Sequence, residues 1–466
     1  MAAANPPPPY VVLDTFVYLT PPPAGLDQEW AIVECARKTA YGCGEHGQML
    51  VDGLTLYVRL VACPPADLAS ALYIHADDDA LRGIRLEFDK GEGPPIPIND
   101  FELYHKCFIE SVDENLLVLT VVFRFHDSLP INYYLVYSAA DASLALIRSL
   151  PPLTWMTATT QSPLPVLRGD GDGGYELVVI TERLLPPPPE VMDGTYMGKY
   201  TFHFNYEDVF CVWTPEAKSG EEDPAPGGGW RIQGRRFPEE VEQPFMAEVK
   251  FSFDGKAFFV DLSQGIVYGD VPAADDDSDV CFDFIPLPAE TPSQKRWGHK
   301  RIEDTAPLNN YRTMRCVGGA IRFVCIGRVD RAAGQLYGDG TVTVWTLDLG
   351  TKRWTKDREF GTRELWRAAG GGLPATEPKC PVAMPDGTIC FLMPAMRLRR
   401  EDPWGDYILN LDVAGRDLRI VWSGRLRECS YIEPAIVRAN FFEKLLCPLD
   451  STTRKCSSSI YVEHEQ

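Results

Sequence analysis

The sequence predicts an all-β fold, a β-propeller of about six four-stranded antiparallel blades. Three observations predict it. One pattern of strand, polar turn and second strand recurs along the chain, Gly-Gly or Asp-Gly steps join further strand pairs, and no stretch of about 15 residues keeps a helical apolar stripe free of Pro or Gly. The 38 Gly and 39 Pro of the 466-residue chain suit such a turn-dense protein.

One hairpin pattern repeats along the chain. Residues 341–360 read TVTVWTLDLGTKRWTKDREF, in which an alternating apolar run, a turn and a second run follow one another. Period-2 alternation predicts a strand with one buried face, and the polar residues between two such runs predict an antiparallel turn. Four further segments have the same order of parts: 133–150, 209–237, 258–271 and 407–426.

Tryptophans mark the second strand of several of these hairpins. Trp230, Trp354 and Trp422 all come after the turn. A large flat side chain at that position can cover the gap between neighbouring sheets. We therefore expect these tryptophans to lie between blades.

Tight turns join a second set of strand pairs. Gly-Gly or Asp-Gly steps separate two apolar runs in 249–260, 316–327 and 381–393. Such steps are strong short-range signals for a hairpin because they adopt positive φ angles easily. The glycines expected to supply these angles are Gly255, Gly318, Gly319 and Gly387.

Two hairpins in succession make one four-stranded sheet, and its repetition at intervals of roughly 50–85 residues is typical of a propeller. The predicted blades span 10–90, 100–153, 155–240, 245–300, 310–366 and 378–430. The strand YVVLDTFVYL (10–19) would close the ring beside the last blade. We predict a disordered Pro-rich leader at 1–9, the propeller at 10–440 and a mobile tail at 441–466.

Two alternatives remain open at this point. A pair of β-sandwiches also uses many short strands with frequent turns, although the recurrence of one hairpin pattern favours the propeller. Within the first blade, residues 67–78 (DLASALYIHADD) are also compatible with a short helix.

Composition excludes several classes of function. The chain has 45 Lys and Arg against 66 Asp and Glu, and its net charge of −21 is repelled by nucleic acid and anionic lipid. No signal peptide and no run of about 18 apolar residues is present. The 13 cysteines are odd in number and form no CxxC pair, which indicates reduced thiols. We expect a cytoplasmic or nuclear protein that binds neither nucleic acid nor membrane.

Four strings carry a family resemblance: DLSQGIVYGDV (261–271), RTMRCVGGAIRFVCIGRVD (312–330), TVTVWTLDLGTKRWTKDREF (341–360) and MPDGTICFLM (384–393). They resemble the plant family called domain of unknown function 1618, and the strings at 10–19 and 133–153 are similar to its N-terminal half. This grass-expanded family resembles F-box-associated and kelch-type propellers. The resemblance implies a protein-binding scaffold and brings no established activity. Residues 1–54 lack the helical pattern of an F-box.

Sequence motifs of catalysis are missing. GxSxG, GxxxxGK[ST], HExxH and paired CxxC do not occur. One GxGxxG, at 169–174, leads into the strand-like YELVVI (175–180) instead of the helix that a dinucleotide site needs. We therefore predict no catalytic, cofactor-binding or metal-binding residues and do not expect an enzyme.

Two patterns resemble metal-binding motifs, but their spacing or residue types do not match those motifs. Cys35, Cys43 and His46 lie close in sequence, but no second ligand pair is near and the chain has only 7 His, so an ordinary loop is favoured. The stretch RGDGDGG (168–174) begins like a calcium loop, but Tyr175 and Thr181 stand where it needs Gly and Glu. A glycine-rich hairpin turn explains that stretch better.

Charged and Pro-rich runs are predicted to be solvated loops and stiff spacers. The acidic runs are HADDDA (75–80) and AADDDSD (273–279), the basic clusters are KRWGHKR (295–301) and RLRR (397–400), and the Pro runs lie at 6–9, 21–23 and 186–189. For the basic clusters, a nuclear-import signal or a contact with an acidic peptide is an alternative to plain loop charge.

The longest insertions are the predicted functional surface. Residues 217–228 lie within a blade and 367–376 between two blades, and long loops on a rigid scaffold commonly carry partner recognition. We expect a non-catalytic scaffold that binds a protein partner of unknown identity. The alternatives are a hydrolase with carboxylates at the propeller axis and a substrate adaptor of a ubiquitin ligase.

Overall fold

The computed structural model describes residues 10–13, 17, 30–44, 46–59, 71–89, 103–113, 115–125, 131–150, 162–168, 174–184, 206–215, 229–272, 278–292, 307–327, 340–368, 376–393, 406–415, 417–426, 435–438 and 441. The predicted leader at 1–9 and nearly all of the predicted tail at 441–466 lie outside these residues. The Pro runs and the basic clusters at 295–301 and 397–400 lie outside them as well.

The protein is a six-bladed β-propeller, in which six small sheets succeed one another around a ring. We number the sheets blades 1 to 6. Blade 1 contains β2 (Ala31–Val33), β4 (Leu54–Arg59) and β5 (Ala71–Ala76). Blade 2 contains β6 (Leu103–Asp113), β7 (Leu116–Phe125), β8 (Ile131–Ser138) and β9 (Ser143–Arg148), with β3 (Arg37–Tyr41) beside β9.

The remaining blades are each built on four antiparallel strands. Blade 3 contains β10 (Leu164–Leu167), β11 (Tyr175–Leu184), β12 (Tyr206–Trp213) and β13 (Trp230–Arg236), with β17 (Val280–Cys281) beside β13. Blade 4 contains β14 (Val249–Phe253), β15 (Lys256–Asp261), β16 (Gly265–Asp270) and β18 (Asp283–Pro286). Blade 5 contains β19 (Arg312–Val317), β20 (Ala320–Ile326), β21 (Thr341–Asp348) and β22 (Arg353–Gly361). Blade 6 contains β23 (Lys379–Ala383), β24 (Ile389–Met393), β25 (Asp406–Asp412) and β26 (Arg419–Leu426).

Helix is confined to short elements in the described part of the chain. They are α1 (Gly47–Asp52), α2 (Asp78–Asp89), α3 (Thr362–Ala368) and a 3-10 turn at Leu308–Asn310. None of the helices described is long and apolar enough to span a bilayer.

Each central sheet buries both faces, and this holds the ring together. In β15, Phe259 packs with Phe210 of blade 3, whereas its neighbour Phe258 packs with Phe323 of blade 5. Successive residues of a strand point to opposite faces, so one alternating strand contributes to two separate cores. Clusters of this kind lie between blades 1 and 2, 2 and 3, 3 and 4, 4 and 5, and 5 and 6.

The first strands of successive blades lie side by side around the axis. The strand β10 contacts β14, β14 contacts β19, and β19 contacts β23. The strand β6 contacts both β10 and β14. These contacts place the first strand of each of these blades innermost, as in a propeller with a central channel. A pair of face-to-face sheets would not produce them, so the sandwich alternative is wrong.

The first and last described strands pair with each other. The strand β1 (Tyr10–Leu13) runs antiparallel to β27 (Ala435–Arg438), with Tyr10 opposite Arg438 and Leu13 opposite Ala435. After β1, the amide of Val17 donates to the carbonyl oxygen of Cys107 in β6, 3.1 Å away. The predicted strand at 10–19 therefore pairs with β27, which follows blade 6 in the chain, and not with a strand of blade 6 itself as the prediction had it.

The predicted hairpins are confirmed. Antiparallel pairs form at every segment with the repeated pattern: β8 with β9, β12 with β13, β15 with β16, β21 with β22, and β25 with β26. The tight turns have the expected backbone angles, with φ of 72° at Gly255, 59° at Gly318, 80° at Gly319 and 85° at Gly387.

Two of the three marked tryptophans bridge neighbouring blades as predicted. The indole Nε1 of Trp230 in blade 3 donates to the carbonyl oxygen of Arg148 in blade 2, at 2.9 Å. That of Trp354 in blade 5 donates to the carbonyl oxygen of Pro286 in blade 4, at 2.8 Å. The side chain of Trp422 lies outside the described residues.

The blades depart from the uniform four-stranded pattern in two places. Blade 1 has three paired strands in its sheet, and the expected helix-compatible segment is the strand β5 followed by α2. Blades 2 and 3 each gain an outer strand that runs parallel to its neighbour, β3 to β9 and β17 to β13. Parallel neighbours need long connections, so a search for hairpins does not find them.

Candidate functional site

The ring has two unlike faces. Neighbouring strands in a blade are antiparallel, so the connections after the first and third strands lie at one face and all others lie at the opposite face. The first face has mainly tight turns, at 114–115, 254–255, 318–319, 139–142 and 349–352, and we call it the turn face. The strand ends that flank the long connections 185–205, 287–311, 327–340 and 394–405 lie at the opposite face, and we call it the loop face.

The two predicted insertions start from opposite faces. Residues 217–228 connect β12 to β13, the third and fourth strands of blade 3, so the flanking strand ends lie at the turn face. Residues 367–376 connect α3 to β23 and are flanked at the loop face. All of 217–228 and most of 367–376 lie outside the described residues. The strand ends that flank the two insertions therefore do not share one face of the ring.

The three residues whose spacing suggested a metal site lie around β3, the strand beside β9 of blade 2. Cys35 precedes β3, and its thiol donates to the carbonyl oxygen of Val33 at 3.6 Å. The Cys43 thiol is buried and donates to the carbonyl oxygen of Tyr41 at 3.2 Å. His46 directly precedes α1. In the part of the chain that the structure describes, no cluster of three or more His, Cys, Asp or Glu side chains could hold a metal ion.

The charged runs have local structural roles where they are described. The run 75–80 was predicted to be a solvated loop, but it contains the beginning of α2, and Asp77 Oδ1 accepts a hydrogen bond from the Ala80 amide at 2.8 Å. Its acidic residues remain exposed and suit a helix N-terminus. In 273–279, Asp279 pairs with Arg236, whose Nε lies 2.7 Å from Oδ2. The glycine-rich run 168–174 joins the hairpin strands β10 and β11, as predicted.

A polar cluster lies where the inner strands of blades 2, 3 and 4 meet. It consists of Glu110 in β6, Ser162 just before β10, and Lys250 in β14, and we call it the axial cluster. The Nζ of Lys250 donates to Ser162 twice, to its carbonyl oxygen at 2.9 Å and to its Oγ at 2.8 Å. Both Lys250 and Ser162 retain partial exposure despite their position at the inner strands.

The electrostatics of the axial cluster follow from burial. Burial lowers the pKa of Lys250 to about 8, and the negative charge of Glu110 opposes this effect. Glu110 acts on two further neighbours: burial first, and then the charge of Glu110, raise the pKa of Cys107 and of Tyr134. A lysine that loses its proton near neutral pH is a common feature of functional sites, although structural networks also produce it.

The sequence analysis missed this cluster. Lys250 looks like an ordinary outward-facing residue in the alternation VKFSF, and Ser162 follows a Pro- and Thr-rich segment. The two residues are 88 positions apart and belong to different blades. The signal available in the sequence was a charged residue on a strand that the blade order makes innermost.

The hydrolase with carboxylates at the propeller axis stays a prediction that the described carboxylates do not test. Such an enzyme needs two neighbouring buried carboxyl groups with raised pKa values at one mouth of the channel. Hydrogen bonds from Thr351 lower the pKa of Asp348, the last residue of β21. Burial raises the pKa of Asp141, in the turn between β8 and β9, but hydrogen bonds from Ser138 and Ser143 and the charge of Arg37 together outweigh it and lower the pKa.

A family comparison covers the second half of the ring. Residues 259–401 match the model of a family described as protein of unknown function, DUF1618. These residues are therefore similar to that family, and we call them the DUF1618 region. The DUF1618 region runs from β15 of blade 4 through blade 5 to the strands β23 and β24 of blade 6. It contains all four strings on which the family resemblance rests, and the strings at 10–19 and 133–153 lie outside the match.

Comparisons with curated proteins and with solved structures give no further family for the chain. A search of curated proteins gave no match. Among solved structures, a protein assigned as a 6-phosphogluconolactonase from Bacteroides fragilis has 11% identity and a TM-score of 0.30, with 89% of this chain and 99% of that chain covered. A GH43 β-xylosidase/α-arabinofuranosidase from a compost microbial metagenome has 10% identity and a TM-score of 0.25, covering 65% of this chain and 90% of its own.

A third solved structure, an oligogalacturonate lyase in complex with manganese, has 9% identity and a TM-score of 0.23, covering 67% of this chain and 80% of its own. With TM-scores this low, none of the three similarities supports an inference about function.

Proposed function

We propose that the protein is a non-catalytic protein-binding scaffold whose partner docks on the loop face. The observation that carries this proposal is the difference between the two faces. Five connections at the turn face have only two to four residues, such as 254–255 and 318–319, whereas connections as long as 287–311 start and end at the loop face. Long loops on a rigid frame commonly supply recognition.

The frame beneath these loops is rigid. Blades 2 to 5 are buried on both faces by continuous apolar clusters. Side chains also bridge the blades, as when Arg322 of blade 5 donates to the carbonyl oxygen of Gly387 in blade 6 at 3.1 Å. Such a frame changes little on binding, so a partner would not have to order the scaffold itself.

Charge favours a partner with acidic groups. Both basic clusters, 295–301 and 397–400, fall in connections of the loop face. The acidic insertion 217–228 and the acidic run 273–279 fall in connections of the turn face. On a chain of net charge −21, a local basic region directs an acidic partner to one face.

Affinity purification with mass spectrometry tests this proposal. One variant changes the loop face by R397A, R399A and R400A together with serine and glycine replacements of 369–375. Its matched control deletes 217–228 from the turn face. We expect the recurrent partners of the unchanged protein to be lost from the first variant and retained by the second.

The opposite pattern, or the loss of no partner from either folded variant, would contradict docking on the loop face. The identity of the partners also separates the two binding roles. Recurrent ubiquitin-ligase subunits in the purified material would favour the substrate adaptor, whereas a stable partner unrelated to ligases would favour the plain scaffold.

A further inference from the structure

Blade 1 has one face that lies outside the apolar core. In β4, Leu56 and Val58 belong to the core between blades 1 and 2, so the alternate residues Tyr57 and Arg59 lie on the other face of the sheet. Tyr73 of β5 lies directly opposite Tyr57 on that face. None of the apolar clusters between blades includes these side chains in the described part of the chain. We call the surface the outer face of blade 1, and its members are Trp30, Ile32, Tyr57, Arg59 and Tyr73.

Aromatic rings pack together at the centre of the outer face. The ring centroid of Tyr73 lies 5.4 Å from that of Tyr57 and 6.0 Å from that of Trp30. Tyr73 is buried, whereas Trp30 and Tyr57 stay partly exposed. Ile32 lies opposite Tyr57 and is 54% exposed. Because Trp, Tyr and Arg are enriched where proteins bind one another, this composition is typical of an interface.

The outer face also holds a positive charge without a carboxylate partner. The guanidinium carbon of Arg59 lies over the Trp30 indole, 4.9 Å from the ring centroid. Among the described residues, Arg59 forms no ion pair, and its buried Nε has no hydrogen-bond acceptor. The Arg59 side chain is partly exposed, so its two terminal nitrogens can donate to a carboxylate that arrives from outside.

We propose that the outer face of blade 1 binds a peptide segment of a protein partner in which a carboxylate lies close to an apolar side chain. The carboxylate pairs with Arg59, and the apolar side chain packs on Ile32 and Tyr57. This goes beyond the proposed function, because the surface is one face of a blade and not the loop face. Neither proposal depends on the other.

Charge distinguishes this partner from other occupants. The stack on Trp30 already holds Arg59 in place, so little side-chain freedom is lost when a carboxylate binds. Glu34 follows β2 at the opposite end of the face from Trp30 and is exposed, so a neutral or basic residue of the peptide belongs there. A second copy of this chain, with a net charge of −21, is repelled as a whole. A different protein is therefore the favoured partner.

Peptide selection tests the proposal on the full chain. A phage library of random dodecapeptides is depleted on the Ile32→Glu variant and then selected on the unchanged protein. Ile32 is exposed, so we expect this variant to fold, which circular dichroism checks. We expect the selected peptides to have Asp or Glu within a few positions of a large apolar residue. No enrichment, or enrichment of basic or uncharged peptides, would overturn the proposal.

Affinity measurements with matched variants locate the selected peptides. Arg59→Met keeps the apolar stem and removes the charge, so we expect binding at least about 10-fold weaker than to the unchanged protein. The control is Val421→Glu, because Val421 in blade 6 is similarly exposed, at 51%. It should change the affinity by less than about 2-fold. Equal affinity for Arg59→Met and the unchanged protein would overturn the proposal, and Ile32→Glu supplies the same comparison if Arg59→Met does not fold.

The loop-face variant separates the two proposals. The protein with R397A, R399A and R400A should bind the selected peptides as tightly as the unchanged protein does. Loss of peptide binding from that variant would place the peptide site on the loop face. This result would overturn the site on blade 1 and leave the loop-face proposal intact.

Discussion

At the scale of single residues, the interior of the ring is divided between apolar side chains and a few polar ones with defined contacts. Phe258 and Phe259 show the first kind, because adjacent residues fill the cores on the two sides of blade 4. Lys250 shows the second kind. An apolar residue of similar length would fill that position without the desolvation of a charged group, so the lysine is not explained by packing alone.

The stability of the protein should depend on pH through Lys250. Its folded pKa of about 8 lies below the ordinary value of 10.5, so the folded state disfavours the protonated form. This penalty is complete below about pH 8 and is relieved as the pH rises towards 10.5, where the unfolded chain also loses the proton. Between pH 7.5 and 10, we expect the free energy of unfolding of the unchanged protein to rise by about 2 kcal/mol relative to that of K250M.

Chemical denaturation of both proteins at several pH values in this range measures that difference. Tyrosine and cysteine residues titrate in the same range, but they are common to both proteins and cancel in the comparison. A constant difference between the two proteins from pH 7.5 to 10 would show that Lys250 has an ordinary pKa in the folded state.

The sequence was sufficient to predict single residues where a short local feature requires one residue type. The glycines at 255, 318, 319 and 387 were found because each turn needs a positive φ angle within a few residues of itself. The tryptophans were found because of their fixed place after a turn. The contact between Ser162 and Lys250 joins two blades, and nothing in either local sequence specifies the partner.

At the scale of strands and turns, the hairpin is the unit that local sequence determines well. Alternation fixes which face of a strand is buried, and the turn residues fix its register. The pairs β14–β15 and β19–β20 follow directly from an Asp-Gly and a Gly-Gly step. The outer strands β3 and β17 could not be found in this way, because each joins a blade that is distant in sequence and pairs in parallel.

Two glycines of the DUF1618 region make a matched test of the strand arrangement. A Cβ at Gly265 would clash with the carbonyl oxygen of Ile285 and the ring of Phe284, where β16 meets β18. A Cβ at Gly318 would meet nothing within 4 Å, so only its φ of 59° opposes substitution. We expect Gly265→Ala to cost more than about 3 kcal/mol and Gly318→Ala about 1 kcal/mol.

Urea denaturation of the two variants beside the unchanged protein gives both values. An equal or larger loss for Gly318→Ala would mean that β16 and β18 do not approach each other as closely as described.

At the scale of the whole molecule, the ring is held by contacts that repeat from blade to blade. Apolar clusters fill the spaces between blades, and side-chain donors reach backbone oxygens of the neighbouring blade at Trp230, Trp354 and Arg322. The order of the blades follows the order of the hairpins in the chain, so the sequence was sufficient to predict it. The unlike turn and loop faces depend on strand direction, which becomes clear only when every pairing is known.

Closure of the ring is the central claim, and it depends on one short pair of strands. The strand β1 has Tyr10 to Leu13 opposite Arg438 to Ala435 in β27. An open row of blades would leave the first blade without that contact. The fold therefore needs the two ends of the described chain to meet, and this pairing can be observed directly through the amides of β1.

Hydrogen exchange of the amides at 10–13 measures that pairing, in the full chain and in a chain that ends at residue 434. If the ring closes as described, these amides exchange slowly in the full chain and fast in the shortened chain, while β15 in blade 4 stays protected in both. Fast exchange at 10–13 in the full chain, or protection that survives removal of β27, would contradict a closed propeller.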